Sequence, residues 1–144
     1  MNNYNDYDKD LYPEAIEEVY DYRANEGKYL ATPYEALVRG NIFNELYSPY
    51  KNYKPKNLNP TTEKGKLLLD LRMYNQALID LNLFLDLNPN DTNIINIRAD
   101  YLSKYNKARE NYEKKYGPIG LDSEYTKQSP WAWDENNFPW EVRD

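Results

Sequence analysis

The stretch LLLDLRMYNQALIDLNLFLDL-NPND-TNIINIRADYLSKYNKARENYEKKYGP, residues 67–118, decides the fold. In its first half Leu67, Leu71, Tyr74, Leu78, Leu81 and Leu85 recur at steps of 4, 3, 4, 3 and 4. That seven-residue apolar repeat marks one stripe of a helix. In the second half Ile94, Ile97, Tyr101, Tyr105, Ala108, Tyr112 and Tyr116 step by 3, 4, 4, 3, 4 and 4. An eleven-residue pattern of this kind suits a nearly straight helix. Between them lies Asn88-Pro89-Asn90-Asp91, where Pro89 disfavours helix at Asn88 and Asn90 or Asp91 can cap the second helix. Gly117-Pro118 closes that helix, with Lys114 and Lys115 in the last turn where cations are favoured. Thr61 or Thr62 is placed to cap the first helix, which at about 25 residues would run ~38 Å. The expectation is an all-α fold dominated by a long antiparallel helical hairpin.

The first helix is apolar on more than one side. Ala77 and Phe84 widen its stripe, while Leu68, Leu69, Met73, Ile79, Leu83 and Leu87 fall elsewhere around it. Such a helix needs more than one neighbour. A hairpin buries one stripe of each partner, so segments within 13–46, the C-terminal tail or another chain must cover the rest.

Working towards the N-terminus, Tyr50 to Pro60 holds three Lys, two Pro and three Asn and reads as an extended linker. Before it, Thr32, Pro33 and Glu35 form a helix-start signal, Ala36, Leu37 and Val38 continue the turn, and Gly40 ends it. An apolar cluster, Ile42-Phe43 to Leu46-Tyr47, comes next and is closed by Pro49. Pro13 to Glu26 has the marks of a short helix stopped by Gly27, and residues 1–12 are polar and read as disordered or ordered by a partner. Short N-terminal helices and extended, aromatic-rich flanks are therefore expected around the hairpin. Towards the C-terminus, residues 121–144 are polar except for Trp131, Trp133, Phe138, Pro139 and Trp140, and all three tryptophans of the chain lie there.

Composition removes several function classes. The chain has 144 residues, enough for one domain, and a net charge of -6, which disfavours nucleic acid and anionic membrane surfaces. No apolar run approaches the ~20 residues that cross a bilayer. Met1 to Asp6 lacks the basic start and apolar core of a secretory signal. There is no Cys and no His, so thiolates, the commonest general base and the usual metal ligand are missing together. No glycine-rich phosphate loop occurs either, and neither an enzyme activity nor a cofactor is expected. The 16 Tyr each carry a wet end, so the dry core is smaller than the 40% apolar content suggests.

Three blocks in this order resemble a known family. The run from Ala77 to Asp91, the block Tyr112-Glu113-Lys114-Lys115-Tyr116-Gly117-Pro118-Ile119, and the tail Trp131-Ala132-Trp133 with Pro139-Trp140-Glu141-Val142 resemble the spore coat protein CotJB over about residues 70–142. Tyr34 to Tyr50 is similar to CotJA, a second product of the same operon: a short helix, a glycine, an apolar turn and a closing Pro-Tyr. The chain thus divides into an acidic, tyrosine-rich extension (1–28), an A-like segment with its linker (29–60) and a B-like hairpin with a tryptophan-rich tail (61–144). The resemblance implies a structural or assembly component of the endospore coat, made in the mother-cell cytoplasm. It also implies association with a manganese-catalase-like coat protein, other coat proteins or a second copy of the chain. It supplies no catalytic residues.

Candidate partner-binding residues are Trp131, Trp133, Phe138, Pro139 and Trp140, with Ile42 and Phe43 from the apolar turn. Clustered aromatics beside prolines make low-entropy anchors. The competing reading is that the tail folds back onto the open face of the first helix. Tyr4, Tyr7, Tyr47, Tyr50 and Tyr53 sit in polar surroundings and are candidates for radical cross-linking, whereas the tyrosines at helical spacing read as packing. The acidic residues Asp6, Asp8, Asp10, Glu14, Glu17 and Glu18 read as a solvated face, since the EF-hand pattern is missing. Tyr74-Asn75-Gln76-Ala77 and the Asn-Pro turn also resemble part of a tetratricopeptide repeat, but its period of about 34 residues is not repeated. A helical adaptor unrelated to spores is the alternative function.

Overall fold

Local capping chemistry sets the ends of the helices. The computed structural model describes residues 30–135. Helix α1 (Pro33–Arg39) begins at Thr32. The Thr32 hydroxyl accepts from the Glu35 N–H at 3.1 Å, and the Glu35 carboxylate accepts from the Thr32 N–H at 2.8 Å. This reciprocal capping box satisfies two backbone donors that a helix start leaves orphaned. Helix α2 (Glu63–Leu87) starts at Thr62, whose hydroxyl accepts from the Gly65 N–H at 3.1 Å. Helix α3 (Thr92–Tyr116) starts at Asp91, whose carboxylate accepts from the Ile94 N–H at 3.0 Å. A single turn, α4 (Ala132–Glu135), closes the described chain, and two 3-10 turns lie at Asn44–Leu46 and Glu124–Lys127. The described residues form no β-strand; Leu30 and Phe43 make one isolated antiparallel bridge.

Helices α2 and α3 pack against each other as the expected hairpin. Near the tip the Arg98 Nε donates to Asn82 at 2.5 Å, and at the base Lys115 and the Tyr116 hydroxyl both reach Glu63. That order of contacts is antiparallel. Leu71, Tyr74, Leu78 and Leu81 of the seven-residue stripe are buried with Ile94, Ile97, Tyr101 and Ala108 of the eleven-residue one. The Tyr74 and Tyr101 rings lie 6.0 Å apart in a tilted pair. Each fully buried Leu or Ile side chain contributes about 1.5–3 kcal/mol relative to exposure.

A second side of α2 is covered by α1 and the loop after it. Ala36, Ile42 and Phe43 join the same core, and the Phe43 ring stacks on Phe84 at 4.7 Å. The Ile42 N–H donates to the Asp80 carboxylate at 2.9 Å, and Gln76 donates to its other oxygen at 3.1 Å. Burial pushes the Asp80 carboxyl up, opposed by these two hydrogen bonds. The expectation that Ile42 and Phe43 face a partner is therefore corrected. Both are buried in the chain's own core, because Asp80 draws the loop backbone inward and Phe84 offers a ring to stack on.

The linker Tyr50 to Pro60 is mostly exposed and carries no helix, as expected. It is tied to α1 where the Leu58 N–H donates to the Tyr34 hydroxyl at 2.9 Å. The expected helix Pro13 to Glu26 and the acidic clusters around it lie outside the described residues. The C-terminal flank differs from the extended tail expected from its polarity: residues 117–127 return onto α3.

Candidate functional site

The returning segment is a strap built on one buried carboxylate. Glu113 lies in the last turns of α3 and is 6% exposed. Its Oε1 accepts from Arg109 Nε at 3.1 Å and from the Ile119 N–H at 2.9 Å. Its Oε2 accepts from the Ser123 hydroxyl at 2.8 Å. A buried carboxylate is costly unless paired and hydrogen-bonded, and here all the partners come from the strap or from one turn earlier on the helix. Arg109 completes the arrangement with a two-pronged pair to Asp122, at 3.0 and 2.7 Å. That pair holds the Asp122 carboxyl below its ordinary range and raises the Arg109 guanidinium.

Two glycines make the return practicable. Gly117 leaves the helix at φ 89°, a conformation that side chains resist. At Gly120 an added Cβ would stand 2.5 Å from an Asp122 carboxylate oxygen and 3.1 Å from the Arg109 guanidinium. A side chain at position 120 would make the ends of the Asp122 and Arg109 side chains shift. Within the strap Pro118 and Ser123 are buried.

Two large apolar side chains after α3 stay outside. Leu121 is 65% exposed between the clamped residues Ile119 and Asp122, and Trp131 is 55% exposed just before α4. Trp133 is half-buried. Of the candidate anchors, Trp131 thus faces solvent, while Phe138, Pro139 and Trp140 lie outside the described residues. Leu121 was not among the candidates; a lone leucine in a polar run carries no signal until its neighbours are pinned.

The candidate tyrosines separate as well. Tyr50 is 85% exposed, and Tyr53 is exposed beside it. Tyr47 is withdrawn from solvent, contrary to the expectation from its polar surroundings. Its ring lies 4.6 Å from the Arg39 guanidinium, and its hydroxyl is buried. Tyr4 and Tyr7 lie outside the described residues. No group of three or more metal-ligating side chains occurs among the described residues, and none of the described helices is long and apolar enough to cross a membrane.

Fold and strap together define a helical-hairpin module with a clamped C-terminal return. Residues 65–141 match the family model described as CotJB protein, which is more than half of the chain. The chain belongs to the CotJB family, a spore coat family, and its role is related to the spore coat. The match takes in α2 from Gly65 onward, α3, the strap and Trp131, and does not extend to residues 29–58, where the A-like segment was expected. No curated protein and no solved structure matches the chain.

Proposed function

We propose that the protein is a structural and assembly component of the endospore coat that binds a helical protein partner through the exposed side chains of Leu121 and Trp131. Membership of the CotJB family supports the coat setting. The observation that carries the binding role is the strap: a buried, hydrogen-bonded carboxylate holds the segment that packs Ile119 on the core and leaves Leu121 outside, and Trp131 follows it, also exposed. Interfaces concentrate their energy in a few rigid aromatic and apolar anchors of this kind. The partner that the family resemblance implies is a manganese-catalase-like coat protein, and synthesis falls to the mother-cell cytoplasm. The role is physical and assigns the chain no turnover of its own.

Co-expression with the catalase-like coat protein tests this reading. A stable complex should co-purify, and Trp131→Ala combined with Leu121→Ala should weaken it about tenfold or more while the helical circular dichroism stays unchanged. Failure of the wild-type pair to co-purify, or a complex indifferent to both substitutions, would sink it.

A further inference from the structure

The outer side of α2, away from α1, carries a second exposed pattern that the strap does not touch. Arg72, Ile79 and Asp86 are all exposed and succeed one another at seven-residue steps, so they share one line along the helix. Leu83 is 62% exposed and sits between Ile79 and Asp86 on the same side. The cross-helix bond from Arg98 to Asn82 lies next to this line, since Asn82 is one turn from Ile79. Exposed Ile95 and Leu102 lie one turn either side of Arg98, which extends the apolar surface onto α3.

Two properties of the charges on this line bear on what can pack against it. Neither Arg72 nor Asp86 makes an ion pair or side-chain hydrogen bond among the described residues; the charge of Arg72 is felt within the chain by the Tyr112 hydroxyl. They also lie at equal distances on either side of Ile79, seven residues or ~10 Å each way. A two-fold axis through Ile79 therefore places Arg72 of one copy against Asp86 of the other, and does so twice. A parallel pairing would instead oppose like charges at both positions.

We propose that the α2 outer face is a two-fold self-association surface, on which a second copy of this chain packs antiparallel with Ile79 on the axis, Leu83 beside it and Arg72–Asp86 pairs at both ends. This goes beyond the coat-partner reading and uses a different surface, so a coat building block of this kind has one edge for its partner and one face for itself. Closed two-fold contacts are self-complementary by construction, which is the property this line of residues has. Apolar contact at the centre holds the pair, and the flanking charges fix its direction.

Sedimentation of the full chain over ~5 to ~500 µM reads the association constant directly. The expected result is a monomer–dimer equilibrium that Ile79→Asp abolishes without loss of helical circular dichroism. Arg72→Glu alone and Asp86→Arg alone should each weaken the dimer about tenfold, because each creates two like-charge contacts. The double variant should regain wild-type association. Mixing the two single variants should produce a heterodimer stronger than either homodimer, since every altered position then meets an opposite charge. These differences should shrink in ~0.5 M salt. A chain that stays monomeric throughout, an open-ended oligomer, or a dimer lost on Trp131→Ala but indifferent to positions 72, 79 and 86 overturns the proposal. Each of those results leaves the coat-partner reading to its own co-purification test.

Discussion

On the side of α2 that meets α1 and α3, Leu81 and Ala77 are fully buried and Phe84 stacks on Phe43. On its other side, two residues along from Leu81, Leu83 is largely exposed, and Ile79 is 45% exposed. The residue types are the same. What differs is whether the chain brings something back to cover them: α1 and its loop cover one side, and nothing in residues 30–135 covers the other. Hydrophobicity alone therefore does not divide core from exposed surface on this helix. The position of Asp80 does, because its carboxylate binds the Ile42 N–H and fixes which side is roofed.

A paired substitution separates the two sides of α2. Leu81→Asp buries an unpaired charge and empties a packed site, and should cost ~4 kcal/mol or more, enough to unfold the hairpin. Leu83→Asp on the opposite side should leave monomer stability within ~0.5 kcal/mol. Urea melts of the two variants at low concentration decide it; similar losses would show that Leu83 is core after all. A smaller effect is expected at the strap. Glu113→Ala leaves Arg109, Ser123 and the Ile119 N–H without their shared acceptor and should cost ~2 kcal/mol. Amide exchange should rise across residues 117–127 while the tip of the hairpin stays protected. Uniform loss of protection would show the strap to be part of one cooperative unit with the helices.

The smallest effect concerns Asp70, whose Oδ1 is buried without a hydrogen-bond partner and whose carboxyl burial pushes up to about 6 from 3.8. The folded chain thus holds this proton more tightly than the unfolded chain. Its stabilising contribution is complete below pH ~4 and disappears as pH rises through ~6. Asp70→Asn should therefore raise stability at pH 7.5 by up to ~1.5 kcal/mol once solvent screening of the partly exposed side chain is counted, and by almost nothing at pH 4. Thermal melts across that window would show it; equal gains at both ends would point to packing rather than ionisation.

Much of the hairpin was legible because caps and periodic stripes are local. Thr62, Asp91 and Gly117 act where their residue types place them, and four of the six stripe positions of α2 are buried, with Leu67 and Leu85 half-buried at the ends. The strap was not legible. Glu113, Arg109 and Asp122 look like any charged surface residues, and only the return of the chain between residues 117 and 123 gives them one another. Ile42 and Phe43 misled for the related reason that a short apolar cluster before a proline reads the same whether it faces out or in. Of the proposed anchors, Trp131 was recognisable from its residue type alone. Leu121 needed the clamp on either side of it to be seen.

The spacing of the cross-helix bonds also carries a consequence for how the molecule comes together in time. Arg98 and Asn82 are separated by 16 residues, Lys115 and Glu63 by 52. Closing the longer loop directly from an open chain costs about 1 kcal/mol more in entropy than closing the shorter one. Assembly is therefore cheapest as a zipper that starts at Asn88-Pro89-Asn90-Asp91 and runs towards the base, each turn shortening the loop left to close. The Glu63–Lys115 contact is then expected to form last and open first, and faster amide exchange at the base of the hairpin than at its tip would show it.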